Sequence, residues 1–127
     1  MVDKFGKIMV YAKDPSGVAN FFINKINFVE IKTTENESKV ISVTVAHNKS
    51  SDTFIEFFDI NIVKQMNPEL NTGTPSICFS SFDVKAMRDE LIKNKVNVGE
   101  LVDMGGTLVF NFSDIEDNYF AVQEISK

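Results

Sequence analysis

The sequence predicts an α+β fold made of two βαβββ modules, on three observations. Short β-rich runs alternate with two amphipathic helical stripes. An aspartate stands at the start of each stripe, Asp14 and Asp83, 69 residues apart. The same element order runs through both halves of the chain.

Taken in order, Ile8-Met9-Val10-Tyr11-Ala12 is a β-rich run ending at Asp14-Pro15-Ser16. An acceptor side chain followed by proline marks a helix start, with Asp14 as N-cap and Pro15 in the first turn. Val18, Phe21, Phe22 and Ile26 then recur at helical spacing. Phe28 to Lys32 returns to strand, and Thr34-Glu35-Asn36-Glu37-Ser38 reads as a polar turn. Val40 to Ala46 and Thr53 to Phe58 read as two more strands, joined through the polar segment from His47 to Asp52. Asp59 to Thr74 holds Asn67-Pro68 and Asn71-Thr72-Gly73, so it reads as a connector with room for one helical turn.

The order then begins again. Ser76 to Ser81 is a strand, and Asp83 caps a helix with the stripe Val84, Met87, Leu91, Ile92 and Val96. Val98 to Val102 is a strand and Met104-Gly105-Gly106 a turn; Leu108 to Phe112 and Tyr119 to Ile125 are the last strands. The string from Ile26 to Ile31 aligns with that from Val96 to Leu101 at an offset of 70. The expected organisation is a single domain with module one at 1–60, a connector at 61–74 and module two at 75–127. Two such modules, related by a pseudo-twofold axis, would curl their sheets around a cup walled by both halves.

Composition narrows the function. A chain of 127 residues and 14.3 kDa with 43% hydrophobic and 24% charged residues can bury one real core, which excludes disorder. Thirteen basic residues against 18 acidic ones give a net charge of −5, so the basic face that nucleic-acid binding needs is missing. The acidic balance suits a cationic ligand. No apolar run approaches the roughly 18 residues of a membrane span. The opening Met1-Val2-Asp3-Lys4 lacks the layout of a signal peptide, which points to the cytoplasm. Arg88 is the only arginine, Cys78 the only cysteine and His47 the only histidine. Paired arginines gripping a substrate, an intramolecular disulfide and a cysteine metal cluster are thereby excluded.

Three stretches carry a resemblance. The first runs from Lys7 through Asp14 and its helix to Asn27-Phe28; the second is Ser76-Ile77-Cys78-Phe79 through Asp83-Val84 and its helix. The third runs from Phe110 to Phe120, with Asp114 and Asn118 matching the ends of an Asp-Pro-Asp-Gly-Asn turn while Ile115, Glu116 and Asp117 depart from it. On these the sequence resembles the glyoxalase/bleomycin resistance/dioxygenase superfamily, the vicinal oxygen chelate proteins. The resemblance implies a cup, a homodimer and, in the enzymes, a divalent metal. Its ligands are His or Glu/Gln from the first and last strand of each module. Those positions fall here on Lys7, Glu56, Ser76 and Ala121. Only Glu56 is a good ligand, and His47 lies in a polar turn, so no cofactor is expected.

Alternation along strands sets the lining of the cup. Lys7, Met9 and Tyr11 share one face of their strand, as do Phe54, Glu56 and Phe58. In the second half the set is Ser76, Cys78 and Ser80, Val109 with Asn111, and Tyr119 with Ala121 and Gln123. Ile77, Phe79, Leu108, Phe110, Phe112 and Phe120 fall on the opposite, core side. Lys7 and Glu56 read as a salt bridge filling the space of the metal, since burying either charge alone is costly; the alternative is an ion pair that orients a ligand. Tyr11 and Tyr119 offer stacking faces with a polar handle, and Cys78 reads as a small buried hydrophobe. The leading expectation is a metal-free protein of the bleomycin-resistance type that sequesters or senses a small, partly planar organic molecule. The alternatives are a lyase, isomerase or dioxygenase with a divalent metal at displaced positions, and a partner-binding protein using an exposed sheet.

Overall fold

A computed structural model describes all 127 residues. Its elements are β1 (Lys7–Ala12), α1 (Pro15–Lys25), β2 (Val29–Asn36), β3 (Lys39–Ala46), β4 (Phe54–Asp59), α2 (Ile60–Met66), β5 (Cys78–Ser81), α3 (Val84–Lys93), β6 (Val102–Met104), β7 (Thr107–Ser113) and β8 (Tyr119–Glu124). The chain divides into two compact units, Met1–Thr74 and Pro75–Lys127. Each holds a four-stranded sheet of the same topology, β1-β4-β3-β2 in the first and β5-β8-β7-β6 in the second. In both, the first and last strands pair parallel and the rest antiparallel. A parallel pair needs a crossover, which the helix and the intervening strands supply.

Local chemistry places the helices. Asp14 Oδ1 accepts from the Gly17 N–H at 3.0 Å and Asp83 Oδ1 from the Ala86 N–H at 3.0 Å, so each satisfies an N-terminal donor. Both helices end on a left-handed residue, Asn27 (φ 62°) and Lys95 (φ 63°). These equivalent positions are 68 residues apart, two fewer than the offset read from the apolar strings. A slip of two preserves strand alternation, which is why the strings matched.

The first core packs α1 against its sheet, with Val10, Val18, Phe22, Val45 and Phe57 fully buried and the Phe22 and Phe57 ring centroids 5.2 Å apart. In the second, Phe112 and Phe120 stack at 5.4 Å beside Val84, Leu91 and Val122. Ile92, expected in the α3 stripe, is instead 48% exposed, because Leu91 and Val84 already define the buried side. The Asp114–Asn118 turn is held by Asp114, whose Oδ1 accepts from the Glu116 and Asn118 N–H groups at 2.8 and 3.0 Å. The two matching residues of the third stretch are thus the ones that build the turn.

Beyond shifts of one residue at strand ends, four differences from the sequence reading stand out. β2 runs on to Asn36, and the turn shrinks to Glu37-Ser38, both left-handed (φ 52° and 67°), as a tight two-residue hairpin requires. The strand is exposed at the sheet edge, so it needs no apolar alternation. Residues 60–66 form the helix α2, capped by the buried Asp59, whose Oδ1 accepts from the Asn61 N–H at 2.8 Å and whose Oδ2 meets Lys39 Nζ at 3.2 Å. β5 begins at Cys78, leaving Ser76 ahead of it. The expected strand from Val98 to Val102 is interrupted: Val98 bridges Phe112, whereas Val102 pairs with Val109, so an extra residue bulges between them.

Replacing Phe112 with alanine should lower unfolding free energy by about 3–5 kcal/mol. Asp83→Ala, which removes only a cap, should cost about 1 kcal/mol. Urea denaturation of both variants measures the difference, and equal losses would contradict the assignment of Phe112 to the core.

Candidate functional site

In the first unit, alternation puts Val10, Ala12, Ile55 and Phe57 on the side of α1 and leaves the other face to Lys7, Met9 and Tyr11 of β1 and Phe54, Glu56 and Phe58 of β4. The register fixes their neighbours: Lys7 lies opposite Phe54, Met9 opposite Glu56, and Tyr11 opposite Phe58. Lys7 reaches diagonally across this ladder, and its Nζ lies 2.5 Å from Glu56 Oε1. The two ends of the ion pair differ in access, with the Lys7 side chain 50% exposed and that of Glu56 12%.

One step along the strands the face turns apolar. Met9, Tyr11 and Phe58 form one side of a recess of about 240 Å³, and Val63, Met66, Asn67 and Leu70 form the other. Three expected ligand-facing residues therefore meet here, while Phe54 shares their face without lining the recess. The second wall comes from α2 and the turn after it, the segment read from sequence as a connector. Its signal was present: Val63, Met66 and Leu70 stand at i, i+3 and i+7, behind the N-cap Asp59 and around the stop Asn67-Pro68. The result is a strip with a charged end at Lys7 and Glu56 and an oily end at Tyr11, Phe58 and Met66.

In the second unit, Cys78 and Asn111 flank Ala121 on one face of the sheet, with Tyr119 and Gln123 on the same face of β8. Cys78, Asn111 and Tyr119 are all exposed, as is Ser76 ahead of β5. Cys78 is thus not the small buried hydrophobe expected: it starts an edge strand, where nothing of the second core reaches its side of the sheet. His47 is exposed in its turn.

The registers also test the metal positions. Glu56 faces Met9 and Thr44 just as Ala121 faces Cys78 and Asn111, so Glu56 and Ala121 are equivalent, and so are Lys7 and Ser76. The equivalent positions offer one carboxylate already bonded to an ammonium, one hydroxyl and one methyl group. That donor chemistry does not fit a divalent metal, which needs several converging lone pairs.

Because Glu56 is largely covered, its charge relies on Lys7. Lys7→Met should destabilise by about 1 kcal/mol, discounted from a buried pair for the exposure of the lysine. Lys7→Met with Glu56→Leu should lose less than Lys7→Met alone. A double-mutant cycle by urea denaturation checks this, and strictly additive losses would mean that the pair does not interact.

Solved structures share this architecture. The chain matches an antibiotic binding protein, TnmS3, from Streptomyces sp. CB03234 at 18% identity over 98% of each chain, with a TM-score of 0.78. It matches a glyoxalase/bleomycin resistance protein/dioxygenase superfamily member from Sphaerobacter thermophilus at 16% identity over 98% of each chain, with a TM-score of 0.79. A lactoylglutathione lyase from Agrobacterium tumefaciens matches at 16% identity over 97% of this chain and 94% of its own, with a TM-score of 0.72. No family model matches the sequence, and no curated protein matches it. No helix is long and apolar enough to cross a membrane. Two four-stranded sheets of one topology, each with its capped helix, give this chain the fold of the glyoxalase/bleomycin resistance/dioxygenase superfamily.

Proposed function

We propose that this protein binds a small organic molecule without a metal, seating an apolar body against Met9, Tyr11, Phe58 and Met66 and a polar group at the Lys7–Glu56 end. The observation that carries this reading is the juxtaposition on one sheet face of an apolar recess and a single ion pair. Small-molecule sites are mostly apolar, with a few placed polar groups that set orientation. The donor chemistry at the family's metal positions supports binding over lyase chemistry. An antibiotic binding protein of the same fold supports the class of ligand. Sequestration or sensing follows from binding without turnover.

The test is a panel of small planar aromatics, read by methyl resonances of Met9 and Met66 and by thermal shift, with and without a chelator. Binders should move both methyl signals and raise Tm, because affinity for the native state adds to its stability. Phe58→Ala should weaken binding by about tenfold or more, since burying such a side chain is worth roughly 1.5–3 kcal/mol. Binding should survive the chelator. Loss of binding on chelation would favour a metal-dependent lyase or isomerase instead.

A further inference from the structure

Which charge the ligand carries can be argued from the ion pair, on the binding reading above. We propose that the ligand is an aromatic anion of one or two rings whose carboxylate or similar group is held by the Lys7 ammonium. The formal charge of −5 favours cations at long range. That bias is screened within a Debye length of about 8–10 Å, so contact geometry decides at the site.

Access distinguishes the two partners. The Glu56 side chain is 12% exposed and its Oε1 already meets Lys7, so a cation finds little open surface at which to approach the carboxylate. Lys7 is 50% exposed and has Glu56 as its ion-pair partner. An ammonium has three N–H donors, and a carboxylate of Glu56 takes one of them, leaving donors on the open side. An anion therefore meets the open partner of the pair, whereas a cation must reach the covered one.

Position agrees with access. Lys7 leans past its own strand partner Phe54 to Glu56, which lies opposite Met9, so the ammonium stands at the level of a recess-lining residue. Tyr11 and Phe58 follow two residues on, about 7 Å away at a rise of about 3.3 Å per residue. A ring system seated on them thus presents a substituent to Lys7 at the distance of one ring. The recess has a volume of about 240 Å³. A body of one or two rings suits it.

Three probes of one shape test the proposal by calorimetric titration and Met9/Met66 methyl shifts: naphthoate, naphthylmethanol and naphthylmethylammonium. Naphthoate should bind about tenfold tighter than the ammonium, the order of one charge-assisted hydrogen bond, and its advantage should shrink with added salt. Lys7→Met should abolish that advantage and weaken naphthylmethanol, which carries no charge, by much less. Glu56→Gln, which keeps Lys7 and removes its competitor, should tighten naphthoate further, and it serves as the readout should Lys7→Met fail to fold. Tighter binding of the ammonium, an advantage of naphthoate that survives Lys7→Met, or weaker naphthoate binding in Glu56→Gln would each overturn the anion assignment while leaving the recess as a binding site. If none of the three probes moves the methyl signals, the binding reading falls, and this proposal with it.

Discussion

The parallel pairing of β1 with β4 governs the character of the first unit. Its register sets Lys7, Met9 and Tyr11 against Phe54, Glu56 and Phe58, and strand alternation turns all six away from α1. A slip of one residue would send Val10 and Phe57 outward and bury Lys7 and Glu56 among apolar side chains. Neither charge could be solvated there, so the hydrophobic core holds the register that presents the ion pair. The candidate face is in this sense the reverse side of the core.

The second unit repeats the scaffold with different chemistry. Its sheet order, its aspartate cap and the left-handed residue after its helix all match the first. On the equivalent face, however, serine replaces lysine and alanine replaces glutamate. Core positions remain apolar in both units, as packing demands, whereas the free faces are open to change. The second unit thus repeats the framework of the first without its lysine and its glutamate.

Much of this was legible in the sequence because it rests on local rules. Asp14-Pro15 and Asp83 announce helices through backbone capping, and Ile8 to Ala12 and Leu108 to Phe112 announce strands through their side chains. The Lys7–Glu56 contact followed from alternation once the strands were placed. What escaped has a common cause. Residues 60–66 carry a helical apolar pattern, but between Asp59 and Pro68 they are too short to stand out, and α2 buries none of its side chains. The exposed edge strand β2 gives no alternation to read. The exposure of Cys78 depends on what lies across its sheet face, which no local pattern encodes. Half of the recess wall was missed for the first of these reasons.

The central claim is that the one carboxylate at the family's metal positions is matched by a lysine and that the face serves an organic ligand. Native mass spectrometry of freshly purified protein tests it most directly. The expected spectrum shows the chain alone or with a small organic adduct, and no stoichiometric divalent ion. One divalent ion per chain, lost on Glu56→Gln, would contradict the claim.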